Sequence, residues 1–114
     1  MSATSQEITE TIVEFGSPML GELDTTDQLE MESALRLVVT IWNAVVLDQG
    51  YKTRRHEGEV LKTIEAMPEG FIKLTRKLLK RKKRKYGAVS VLVKHYALKE
   101  EDGHFLPYVE GEAV

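Results

Sequence analysis

A chain of 114 residues, 42% apolar and 30% charged, has the size of one domain and the balance of a globule that folds in water rather than a disordered chain. With no cysteine, disulfides, thiol nucleophiles and sulfur-ligated zinc are excluded, a composition compatible with a reducing cytoplasm. The formal charge of -2 hides a segregation: residues 1–35 carry eight acids and no Lys or Arg, residues 36–99 hold all 16 basic residues against five acids, and the last fifteen residues carry five acids.

Residues 1–14 read as an acidic arm, mobile or forming a short helix, with Ile8, Ile12 and Val13 as its apolar positions; partial order is expected. Acids without any base here are the opposite of a secretory signal. The longest apolar run, 37–47, is broken by Thr40 and Asn43 and falls short of the roughly 20 residues needed to cross a bilayer. A cytoplasmic location and no membrane partner are therefore expected. Residues 15–114 read as a single α+β domain.

Gly and Pro around Phe15, Met19, Leu20 and Leu23 predict an irregular N-terminal strap whose apolar side chains dock on the core. About three helices follow. Thr25, Thr26 and Asp27 are able N-caps for the first, whose periodicity runs through Leu35, Val38, Trp42, Val45 and Val46, with Gly50 suited to a left-handed end. Leu37, Val39, Ile41 and Leu47 add apolar residues on its other faces, which makes this the central buried helix, with 36–47 at its heart. A second helix is predicted over 54–67, capped by Thr53, with Val60, Leu61, Ile64 and Met67 as its inner stripe.

Pro68 ends that helix and suits the first turn of a third, running to about Tyr86 and stopped by Gly87. Beyond Gly87 the period shortens to two, predicting a C-terminal antiparallel hairpin turning at Asp102-Gly103. That turn pairs Leu98 with Pro107, Tyr96 with Val109 and Leu92 with Ala113 on an apolar face, and His95 with Glu110 and Val93 with Glu112 on the other. Pro107 has no N–H, so its strand is an edge.

The sharpest chemical feature is the basic run 76–85, which with Lys73 holds nine of the sixteen basic residues. With Phe71, Leu74, Leu78, Leu79 and Tyr86 turned inward, Lys73, Arg76, Lys77, Lys80, Arg81, Lys83 and Arg84 fall on the wetter side as candidate polyanion-binding residues. Of these, Lys73, Lys77, Lys80, Arg81 and Arg84 form a stripe at spacings of three and four that is able to meet successive phosphates, and Lys82, Lys83 and Lys85 widen it beyond one face. Three readings stay open: a solvated helix end, an internal partner in the acidic first 35 residues or the acidic tail, and nucleic acid or an acidic protein outside the chain. For stacking on bases only Phe71 and Tyr86 stand close to the run.

Catalytic patterns are missing. His56 and Glu59 make a two-ligand edge without the second histidine of a zinc helix, His95 pairs with Glu110, and His104 sits at the turn. Ser17 is not in a nucleophile elbow, and neither phosphate-cradling glycine loop is present. No cofactor, metal or catalytic residue is expected. Asn43, an amide inside an apolar run, needs hydrogen-bond partners, and the strap backbone is the expected one. Phe15-Gly-Ser-Pro-Met-Leu20 together with Ile41-Trp-Asn-Ala-Val-Val46 resembles a group of small bacterial proteins with an F-x-x-P-x-L strap and a W-N helix. The resemblance covers mainly residues 15 to 50. It implies a bacterial cytosolic origin and a core role for Trp42 and Asn43, and brings no activity with it. The expected function is a non-catalytic binding module acting through the basic helix 73–85; the alternative is a structural or regulatory protein that forms a homodimer at its hairpin edge.

Overall fold

A computed structural model of the chain describes residues 5–114; of the acidic arm, residues 1–4 lie outside the described residues. The fold is α+β: helices followed by a C-terminal antiparallel hairpin. The helices number five among the described residues rather than about three, because the acidic arm, readable as mobile or as a short helix, forms a helix and the strap expected to be irregular holds one helical turn.

The first, α1 (Ser5–Phe15), places Ile8, Ile12 and Phe15 on one face at spacings of four and three, and all three are buried. One turn of helix, α2 (Ser17–Leu20), follows with Pro18 in its first turn, burying Met19 and Leu20. Gly16 between them lies so close to the central helix that a Cβ there would stand 2.8 Å from Val38 Cγ1.

The central helix α3 (Gln28–Tyr51) is 24 residues long, about 36 Å. Asp27 caps it, accepting from the Glu30 N–H at 3.0 Å. It does not stop at Gly50. The left-handed residue is Lys52, with φ of 54°, so Asp48 is still helical. That placement serves α4 (Arg55–Thr63), whose N-terminus Asp48 caps from the preceding helix. Its carboxylate accepts from the backbone N–H groups of His56 and Glu57, each at 2.9 Å, and contacts His56 Nδ1 at 2.8 Å. Burial works to raise the Asp48 pKa, but the Glu57 and His56 N–H groups and the His56 ring outweigh it and hold the carboxyl below its ordinary value. Thr53, the expected cap, accepts only from Arg55 N, at 3.2 Å. The helix also unwinds earlier than Met67: Pro68 has no N–H to return to Ile64, and 64–67 close as turns that leave Met67 exposed.

Helix α5 (Glu69–Lys85) starts on Pro68 and ends at Tyr86. Two strands complete the chain, β1 (Val91–Glu101) and β2 (His104–Ala113). Asp102 and Gly103 both have positive φ, 51° and 81°, as a two-residue primed turn requires. The expected pairs Leu98–Pro107, Tyr96–Val109 and His95–Glu110 are present. Beyond them a bulge between Val93 and His95 shifts the ladder by one residue, so Ala113 meets Val91, Glu112 meets Leu92, and Val93 meets Gly111 and faces the core.

The core closes around Trp42, which is fully buried. Phe15 meets its ring edge-on at 5.2 Å between centroids, and Tyr86 touches both rings at 5.8 Å. Polar groups on α3 then fasten β1. The Trp42 indole N–H donates to the Val91 carbonyl at 2.7 Å, and the Asn43 amide donates to Val93 O at 3.0 Å while accepting from Val93 N at 2.8 Å. Asn43 thus acts as a one-residue strand neighbour for the hairpin, and its partner is not the strap. On the other edge Thr9 Oγ1 bridges the N–H and carbonyl of Val109, and Phe105 N–H donates to Thr25 O at 2.7 Å.

Candidate polyanion-binding face of the fifth helix

Helix α5 sorts its cations by direction. At 3.6 residues per turn, Thr75, Leu78, Leu79 and Lys82 share the face turned to the core, and all four are buried. Lys82 corrects the expectation that the whole basic run widens an outer surface. Its side chain is fully buried, its Nζ lies 4.4 Å from the Trp42 ring centroid, and it donates to the carbonyls of Tyr86 at 2.8 Å and Val89 at 3.1 Å. Burial pushes its pKa down to about 8. This lysine ties the end of α5 to the turn that leads into β1.

The flanks of the helix are answered from within the chain. On one side Arg81 donates Nε to Phe15 O and Nη2 to Glu14 O, both at 3.0 Å, and Lys85 Nζ lies 3.0 Å from the Glu14 carboxylate. The Tyr86 hydroxyl donates to that carboxylate too; this bond first, then Lys85, lowers the Glu14 pKa. Tyr86 is pushed up to about 12, by burial first and by Glu14 next. On the other side Lys83 pairs with Glu57 at 2.7 Å. The internal partner expected in the first 35 residues is present on one flank only, at Glu14; the other flank is met by Glu57, outside both acidic stretches, and Arg81 and Lys83 of the candidate set are engaged there.

Lys73, Arg76, Lys77, Lys80 and Arg84 remain. All five are exposed and lie within an arc of about 100°, opposite Lys82, over about 16 Å of helix. The side chains of Arg76, Lys77, Lys80 and Arg84 make no hydrogen bond or ion pair with any other described residue. Lys73 stands 3.7 Å from Glu69, with both side chains more than 70% exposed, a contact that holds neither in place.

The two aromatics expected to stack on bases are not free to do so. Phe71 is half-buried, and Tyr86 is buried with its hydroxyl on Glu14. The aromatic that is free is Tyr51, 74% exposed at the end of α3. Its signal in the sequence is its setting: an aromatic ring in the polar helix end Asp48-Gln-Gly-Tyr-Lys52. His56 Nδ1 is taken by Asp48, and no group of three His, Cys, Asp or Glu among the described residues is placed to hold a metal ion. His95 lies opposite Glu110 as expected, and His104 Nδ1 contacts the Thr25 hydroxyl. The hairpin edges are partly covered by Trp42, Asn43, Thr9 and Thr25.

No protein-family model, curated protein or solved structure matches the chain. No helix among the described residues is long and apolar enough to cross a membrane.

Proposed function

We propose that the protein is a non-catalytic binding module whose outer α5 face, Lys73, Arg76, Lys77, Lys80 and Arg84, binds nucleic acid through its phosphates. The observation that carries this reading is the contrast within one helix. Arg81, Lys82, Lys83 and Lys85 each have a partner inside the chain, while a continuous row beside them is left open. A helix is a rigid rod, and cations at spacings of three and four along it meet the backbone of a polyanion without rearrangement. The overall acidic balance does not oppose this. The field at a surface follows the charges within about 8 Å at physiological salt; on the flanks Glu14 and Glu57 are paired with lysines, and Glu69 lies beside Lys73 at the start of the row only.

The test is binding of a labelled oligonucleotide by wild type and by a Lys77→Gln, Lys80→Gln, Arg84→Gln variant. Arg81 stays intact because it holds Phe15 and Glu14 in place. The wild type should bind at low salt and, if all five cations release counterions, lose roughly 500-fold in affinity for a duplex or roughly 130-fold for a single strand between about 50 and about 200 mM salt. The variant should keep wild-type stability or gain a few tenths of a kcal/mol as like-charge repulsion falls. An intact variant that binds as well as the wild type, or a wild type with no affinity at low salt, removes the proposal.

A further inference from the structure

The open row on α5 has a continuation. Its members Lys73, Lys77, Lys80 and Arg84 follow one another at spacings of four, three and four, and the next position in that series is Gly87. Gly87 lies just past the helix, three residues after Arg84, packed on the last turn so tightly that a Cβ would stand 2.5 Å from the Lys83 carbonyl oxygen. It also lines an open cleft of about 420 Å³, shared with Val46, Gln49, Gly50, Tyr51 and Ser90. The cleft therefore adjoins the C-terminal end of α5, where the open row stops.

The lining of that cleft matches one kind of ligand group. A nucleobase has two flat apolar faces and an edge of hydrogen-bond donors and acceptors. Here Tyr51 offers an exposed aromatic ring and Val46 an apolar floor, while the Gln49 amide and the Ser90 hydroxyl are able both to donate and to accept. Gly50, beside Tyr51, has nothing within 4 Å of where a Cβ would stand, so this side of the cleft is bare. The volume lies within the range of clefts that bind small ligands, about 300–1,000 Å³. Base faces are presented only by unpaired strands, since a duplex stacks them inside.

We propose that this cleft seats an unpaired base of a single-stranded nucleic acid whose phosphates lie along α5, with Tyr51 as the stacking platform. This rests on the reading of α5 as a phosphate-binding face. It adds a substrate class, single strand over duplex, and a residue that charge alone does not identify.

The two readings separate in one set of titrations by fluorescence anisotropy at low salt. The probes are a thymidine oligomer of about 15 nucleotides, an abasic oligomer of the same length, and a duplex of that length. The wild type should prefer the thymidine oligomer to the abasic one by about tenfold or more, the worth of a stacked base. Tyr51→Ala should bring the thymidine affinity down to the abasic level and leave abasic binding unchanged, whereas Tyr51→Phe should keep the preference. Gly50→Gln, whose side chain enters open space in the folded protein, should act like Tyr51→Ala by occupying the cleft. The α5 glutamine variant should lose all probes alike. Equal wild-type affinity for thymidine and abasic oligomers, a preference for the duplex, or a base preference that survives Tyr51→Ala overturns the base seat while the α5 face stands. Failure of the wild type to bind any probe overturns both. Emission from buried Trp42 reports that each variant is folded.

Discussion

Lys82 is an ammonium group with no access to water and no carboxylate within ion-pairing distance among the described residues. Two carbonyls and the face of Trp42 replace part of its hydration, and burial pushes its pKa down to about 8. In the unfolded chain the same amine titrates near 10.4. Between these values the unfolded chain holds a proton that the folded chain has released, so stability rises with pH through that window and is lowest, as far as this group is concerned, below pH 8. Integrating over the window from about pH 7.5 to about pH 9.5 gives a gain of about 2 kcal/mol. Tyr86 works the other way and later. Its pKa is raised to about 12, so its contribution is intact below about pH 10 and is lost as the pH climbs toward 12.

The perturbation that isolates this is Lys82→Met, which keeps length and apolar bulk and removes the charge. The Tyr86 carbonyl still accepts from the Val89 N–H at 3.0 Å, so only the Val89 carbonyl loses a donor, a cost of about 1 kcal/mol. Relief of the burial penalty at neutral pH is larger. The variant should be as stable as the wild type or more so at about pH 7.5, with the difference shrinking or reversing by about pH 9.5. Urea unfolding followed by Trp42 emission at several pH values measures both lines. A wild-type stability that is flat or falling across the window, or a Met variant that keeps the rise, would refute the assignment of a buried, uncompensated ammonium.

Two further outcomes probe how the hairpin is held. Asn43→Ala removes both bonds to Val93 and leaves that backbone unit without its partner, so unfolding should become easier by about 2–3 kcal/mol, with faster amide exchange at Val93; unchanged exchange there would disconnect Asn43 from the strand. Gly103→Val should cost about 1–2 kcal/mol because φ is 81° while the surroundings are empty, and Gly103→Asn should cost clearly less; equal losses would point to something other than backbone conformation.

What was legible in the sequence follows physical lines. The hairpin register can be counted from its turn as far as His95, because Asp102-Gly103 marks a two-residue turn and every pair up to that point follows from it. It could not be counted past the bulge, since Val91, Leu92 and Val93 are all apolar and no alternation says which of them faces inward. Asn43 could be seen to need a partner, but a partner fifty residues away is chosen by the packing of the hairpin on α3. The Asp48 cap is hidden for the same reason, since it depends on the chain turning back at Lys52. For α1 and α2 the buried side chains Phe15, Met19 and Leu20 were readable, while the helical turns that carry them were not. The inward direction of Lys82 is encoded in its spacing. It stands four residues after Leu78, three after Leu79 and four before Tyr86, on the apolar stripe itself, but it lies inside an unbroken run of six basic residues whose composition masks its direction.

That direction is what gives the candidate face its meaning. Nine cations on one helix repel one another, and each close pair costs a few tenths of a kcal/mol. The fold reduces this by drawing Lys82 inside, binding Arg81 and Lys85 at Glu14, and binding Lys83 at Glu57. It has acids in plenty with which to go further, eight of them in the first 35 residues. Yet among the described residues no carboxylate pairs with Arg76, Lys77, Lys80 or Arg84, and the repulsion along that row is left standing. If the row is only a solvated face, replacing its members raises stability and changes nothing else. If it meets phosphates, the same replacements raise stability slightly and abolish binding. Stability and binding measured on one variant therefore distinguish a cost that serves recognition from a cost that serves nothing.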